Sequence, residues 1–138
     1  MIKRFMLDTN TVSYMMKGAS LAARTRLIQL AEDEAACISA ITEAELRYGF
    51  AKRPAALVLL PLYEELLAFL QVLPWGTEQA RTYGKLRAKQ EASGKSLESM
   101  DLLIAAHAIS IGATLVTGDK VFRHVNDLVG ITNWATDL

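Results

Sequence analysis

One cysteine, Cys37, is all that a chain of 138 residues contains. An internal disulfide is excluded, and a reducing, cytoplasmic setting is the expectation. Set between Ala35-Ala36 and Ile38, this cysteine reads as a small core residue. Histidine is nearly as scarce. His107 and His124 stand alone, and with Cys37 they show none of the spacings that hold zinc. Neither sign of charge prevails, at 15 basic and 15 acidic residues, and no tail or half is strongly charged. Contact with nucleic acid would have to come from local patches. Long uninterrupted apolar runs are missing too. The most apolar stretch, Ala55 to Leu73, contains Pro61, Glu64 and Glu65, which argues against a spanning helix and against a membrane partner. Lys3 and Arg4 precede too few apolar residues before Asp8 to make a secretory signal. There is no repeat, low-complexity tract or linker. Pro54 and the Pro74-Trp75-Gly76 corner read as turns inside a single domain, residues 1–138.

What is present is a half-apolar chain, 51% hydrophobic, long enough to bury a real core and too apolar for disorder. Its organising stretch is LESMDLLIAAHAISIGATLVTGD, from Leu97 to Asp119. Asp101 opens a segment that is apolar on nearly every side as far as Ile111, which predicts a helix buried all round. Gly112 stops it in the manner of a left-handed residue past a helix end. Ala113–Thr117 then reads as a short strand. Elsewhere, strands are predicted at Phe5–Leu7, Cys37–Ile38, Gln71–Leu73 and Ile131–Trp134. Helices are predicted over Thr11–Lys17, Leu21–Glu32, Thr42–Lys52, Ala55–Leu70 (broken or kinked at Pro61) and Thr77–Ala92. Strands without polar alternation, alternating with helices, indicate an α/β protein whose mainly parallel sheet is covered on both faces. The apolar run Leu57–Leu70 reads either as a kinked core helix or as a surface for a second chain.

Four acids fall where a strand ends or a helix begins: Asp8, Glu45, Asp101 and Asp119. Each has a local explanation. Asp8 is placed to cap the first helix. Thr42-Glu43-Ala44-Glu45 has the spacing of a capping box. Asp101 answers a helix dipole, with Ser99 as cap, and Asp119 suits a turn beside Gly118. Ligands of open parallel sheets bind beyond the carboxyl ends of the strands, where these acids lie. Carboxylates gathered there would repel one another unless a cation joined them, and oxygen-only donors suit magnesium or manganese.

Other chemistries leave weaker traces. His107 and His124 would make a metal-free acid–base pair on a ribose hydroxyl, but His107 is embedded in LLIAAHAIS and reads as core. An aspartyl phosphatase wants an acid where Asn10 stands, and a phospho-receiver wants a second acid beside Asp8. For RNA contact the sequence offers Arg81, Lys85 and Lys89, four residues apart on one helical face; Arg47, Lys52 and Arg53, or Lys120 and Arg123, are further candidates. Tyr48 and Tyr83 have rings able to stack on bases or to pack in the core.

Five segments together resemble the PIN-domain family, above all VapC-type toxins of bacterial toxin–antitoxin pairs. They are MLDTN (Met6–Asn10), SAITEAELRYG (Ser39–Gly49), MDLLIAAHA (Met100–Ala108), ATLVTGD (Ala113–Asp119) and the late Asn133-Trp134. The resemblance implies a three-layer α/β/α sandwich around a mainly parallel sheet of four to five short strands. It implies an endoribonuclease that uses Mg2+ or Mn2+ to hydrolyse structured RNA, tRNA or rRNA. Asp8, Glu45, Asp101 and Asp119 become the catalytic and metal-binding acids, Glu43 being out of register with the family glutamate. Thr9, Asn10 and Thr117 are the candidates to support those carboxylates. A homodimer is implied, as is a VapB-type antitoxin that covers the site and alone carries operator-DNA binding. The alternative is a non-catalytic PIN-like module acting through protein or RNA contacts. The chain departs from the pattern at Glu98, an extra carboxylate close before Asp101. At the last acid, Asp119, such toxins often carry asparagine.

Overall fold

The computed structural model describes residues 1–18 and 21–135. In chain order they form β1 (Lys3–Leu7), α1 (Thr9–Met16), α2 (Leu21–Ile28), β2 (Glu34–Ser39), α3 (Ala40–Lys52), a 3-10 turn at Pro54–Leu59, and α4 (Leu60–Leu66). There follow β3 (Leu70–Leu73), α5 (Thr77–Ala92), α6 (Ser99–Ile111), β4 (Thr114–Val116), a second 3-10 turn at Lys120–His124, and β5 (Ile131–Thr132). The five strands make one sheet in the order β3-β2-β1-β4-β5, every neighbouring pair parallel. Met6 sits at its centre, in register with Cys37 on one side and Leu115 on the other.

Alternation along the strands divides the core in two. Phe5, Leu7, Ala36, Ile38, Leu70 and Val116 face one layer, filled by Val12, Met15, Leu27, Leu46, Phe50 and Tyr63 from α1 to α4. Met6, Cys37 and Leu115 face the other, filled by Leu86 of α5 and by Leu102, Ile104, Ala105 and Ala108 of α6. The result is the α/β/α sandwich with a parallel sheet. Edge strand β5 is fastened by Trp134, whose ring lies 5.4 Å from that of Phe5 while the Arg26 guanidinium covers both rings.

Helix α6 buries residues on nearly every side, including Leu102, Ile104, Ala106 and His107, and Gly112 ends it at φ 66°. α5 spans Thr77–Ala92 as its polar periodicity requires. Cys37 is a free, buried thiol pushed up to about 12 by desolvation, so it stays protonated and supplies neither a nucleophile nor a thiolate ligand near neutral pH.

Several boundaries differ from expectation. α1 begins at Thr9 rather than Thr11, because Asp8 already caps it. α2 stops at Ile28, short of Glu32. The Ala55–Leu70 segment is a 3-10 turn followed by the short α4, with Pro61 in the opening turn of α4, where its missing N–H costs nothing. The capping box at Thr42 does not form. α3 starts at Ala40, and Ser39 Oγ accepts from the Ile41 amide at 3.1 Å, which places Thr42 inside the helix. α6 starts at Ser99 with Glu98 at the cap position and no side-chain cap bond, so Ser99 is not the cap either. No helix among the described residues is long and apolar enough to cross a membrane.

Candidate active site

A parallel strand and its crossover helix run in opposite directions, so helix starts and strand ends share one rim. Asp8 follows β1 directly, and Asp119 lies three residues past β4. Glu45 sits early in α3, which leaves β2 without a loop, and Asp101 lies in the first turn of α6.

Asp8 is the most constrained of the four. It is 4% exposed. Its Oδ1 accepts from the Thr11 amide at 2.8 Å and its Oδ2 from the Thr117 hydroxyl at 2.5 Å. The Asp8 amide donates to the Val116 carbonyl, as does the Thr11 hydroxyl, so the β1–β4 junction holds the carboxylate from both sides. Thr117 Oγ1 also accepts from the Asp119 amide at 3.0 Å, which joins two of the acids through one hydroxyl. Asp119 Oδ1 caps the Lys120–His124 turn through the Val121 amide. Glu45 Oε1 accepts from Thr9 Oγ1 at 2.6 Å, a link between α3 and α1 in place of the local capping contact. Asn10 is exposed beside them and lines the groove between α1 and α3.

Asp101 registers the whole group. Burial first, then the charges of Asp119, Glu98, Glu45 and Asp8, raise it from 3.8 to about 6. Carboxylates from three other segments of chain, with the nearby Glu98, therefore all act on Asp101. The four ion pairs among the described residues engage Glu34, Glu43, Glu91 and Asp127, so no basic side chain neutralises the group. Nor do three of the acids close into a ready-made ion cage among the described residues. An oxygen-only, anionic and unneutralised donor set fits a hard divalent cation such as Mg2+ or Mn2+. Glu43 points elsewhere, accepting from the Tyr63 hydroxyl at 2.9 Å and pairing with Arg47.

The other candidates sort clearly. His107 is 1% exposed, its Nδ1 2.8 Å from Ser39 Oγ, and desolvation lowers its pKa; it cannot reach a ribose. On α5, Gln79 bonds Ser110 at one end and Gln90 bonds the His124 carbonyl at the other, so the helix runs antiparallel to α6. Arg81 and Lys85 are exposed on α5, and neither enters an ion pair among the described residues. The charge of Lys89 is met by Asp127 at 2.7 Å. Tyr48 is exposed, whereas Tyr83 packs edge-on against Trp75. Ser39 carried no role in the sequence reading. Its position between a strand and a helix was the available signal.

Comparison with known proteins bears on this rim. Residues 5–128 match the PIN domain family. The ribonuclease VapC2 of Rickettsia felis is 34% identical over 131 residues, 94% of this chain and 97% of that protein. The tRNA(fMet)-specific endonuclease VapC of Salmonella typhimurium is 35% identical over 116 residues, covering 84% and 86%. Among solved structures, VapBC2 from Rickettsia felis bound to a DNA fragment from its promoter superposes with a TM-score of 0.88 at 32% identity, over 95% of this chain and 98% of that one. DNA-bound VapBC from Salmonella typhimurium gives 0.86 at 34% identity, over 97% and 99%.

Proposed function

The chain belongs to the PIN-domain family, and from that premise we propose that it is a divalent-metal-dependent endoribonuclease toxin restrained by a cognate VapB-type antitoxin. The observation that carries this reading is the gathering of Asp8, Glu45, Glu98 and Asp119 about Asp101, whose carboxyl they and burial push up to about 6, with no basic partner among the described residues. Local capping explains Asp8 and Asp119 singly, but not why so many uncompensated charges share one rim. Names of relatives support the substrate class, one being specific for tRNA(fMet). tRNA is therefore the substrate we favour over rRNA.

Asp8 and Asp101 would hold the principal ion, with Glu45 and Asp119 holding a second or orienting water. When bound, Mg2+ or Mn2+ would supply an activated water and neutralise charge developing on phosphorus. The chain's own contribution is orientation. Thr11 and Thr117 fix both oxygens of Asp8, Thr9 fixes Glu45, and the shared Thr117 hydroxyl couples Asp8 to Asp119. Hydrolysis of this kind breaks the P–O3′ bond, leaving a 3′-hydroxyl and a 5′-phosphate. The two neighbouring VapBC structures named above are toxin–antitoxin complexes on DNA. The same charge excess would accept a basic antitoxin side chain, and operator DNA would be met only through that antitoxin. A homodimer completes the proposal.

The test is induction of the wild type beside the Asp8→Asn, Asp101→Asn variant, with sequencing of RNA 5′ ends. Growth arrest with new 5′-phosphate ends in the wild type alone is the expected result. Equal toxicity from both proteins would reject the enzyme in favour of a binding module.

A further inference from the structure

An acidic rim repels the polyanion it is meant to cut, so cations must stand close by on the strand's path. Two of them stand beside Asp119. A cavity of about 270 Å³ opens directly against Asp119, walled by Thr117, Gly118, Lys120, Arg123, Thr132 and Asn133. Neither the Lys120 nor the Arg123 side chain enters an ion pair or hydrogen bond among the described residues. Four basic side chains elsewhere are held in ion pairs: Lys89 by Asp127, Arg87 by Glu91, Arg47 by Glu43, and Arg26 by Glu34. A Cβ on Gly118 would come within 3.3 Å of Asn133 Nδ2, so a side chain there would crowd the space next to Asp119. The groove on the other flank, between α1 and α3, also carries cations, Lys17, Lys52 and Arg53, but around Glu45 and over an apolar floor of Met16, Leu46, Phe50 and Leu59.

We propose that this cavity is the subsite for the nucleotide flanking the scissile bond, with Lys120 and Arg123 gripping the phosphate next to the one cleaved. The assignment rests on the nuclease reading above and adds to it which residues hold the RNA and on which side of the acids. The two cations bind and position the strand.

Binding of tRNA by the 138-residue chain, measured by fluorescence anisotropy from low to physiological salt, tests the proposal. The variants are Lys120→Gln/Arg123→Gln, the charge-preserving Lys120→Arg/Arg123→Lys, and Arg81→Gln/Lys85→Gln as an equal charge loss on α5, outside the cavity. The first should weaken binding about tenfold and flatten the log–log salt slope by roughly 0.7 for each lost phosphate contact. The other two should stay near wild type. The rise in Tm that Mn2+ produces should be the same in all three, which shows that the fold and the acidic rim are intact. Wild type that cuts tRNA while the first variant binds it with unaltered affinity and slope would remove the subsite and leave the nuclease standing. Equal weakening in the α5 variant would reduce the effect to net charge and overturn the assignment. Wild type that neither binds nor cuts tRNA would defeat both readings together.

Discussion

At the scale of single residues, the acids set function against stability. Asp101 has its pKa raised in the folded chain from 3.8 to about 6, so the folded state binds more protons than the unfolded state between those values. Stability from this group is therefore present below about pH 4 and lost as pH rises through 6. Asp101→Asn removes the charge and keeps the shape. After discounting for its partial exposure, it should stabilise the protein at pH 7 by about 1 kcal/mol, or roughly 3 °C in Tm, while abolishing RNA cleavage. Thermal melts of both proteins from pH 4 to 7 check this, and the gap between them should widen with pH. Thr117 makes the opposite case. Its hydroxyl donates to Asp8 and accepts from Asp119 in a buried setting. Thr117→Val keeps the volume but frees Asp8 and orphans an amide. Cleavage should fall by about 10- to 100-fold, with a loss of about 1–2 kcal/mol in urea unfolding. Unchanged activity in that variant would mean Asp8 needs no steering.

Between elements, Ser39 is the joint. Its Oγ caps α3 and lies 2.8 Å from His107 Nδ1 of α6, so one buried hydroxyl ties β2, α3 and α6 together. Ser39→Ala removes a cap and leaves a buried ring nitrogen without its partner; a loss of about 2–3 kcal/mol is expected from the shift in urea midpoint. The same joint marks the boundary of what local sequence carries. α5, the left-handed stop at Gly112 and the all-round burial of α6 follow from spacings within a few residues, and they were legible for that reason. Thr42 and Glu45 also satisfied a local rule, yet the helix began earlier because Ser39 already stood at the strand's end. That four acids would share a rim could be read from their places at strand ends and helix starts. Which hydroxyl holds which acid could not. Thr9 meets Glu45 across 36 residues and Thr117 meets Asp8 across 109, contacts set by the packing of α1 on α3 and by the register of β1 on β4. No short-range pattern encodes either.

For the molecule as a whole, equal numbers of acidic and basic residues conceal an uneven distribution: carboxylates collect at one rim without cationic partners. Such a rim is destabilising alone and becomes stabilising once a cation bridges it, because a ligand that binds only the folded state adds RT ln(1 + [L]/Kd). At a hundredfold excess over Kd that is about 2.7 kcal/mol, roughly 8 °C in Tm for a domain of this size. Mn2+ titrated into the wild type should therefore raise Tm by several degrees at neutral pH. The rise should shrink toward pH 5, where Asp101 takes up a proton, and disappear in the Asp8→Asn, Asp101→Asn variant. EDTA should reverse the rise and stop RNA cleavage in parallel. A coincident loss of both identifies the cation with the chemistry. Cleavage that survives chelation while the thermal shift vanishes would separate them, leaving the ion as a structural clamp and sending the search for the catalytic groups elsewhere on the rim.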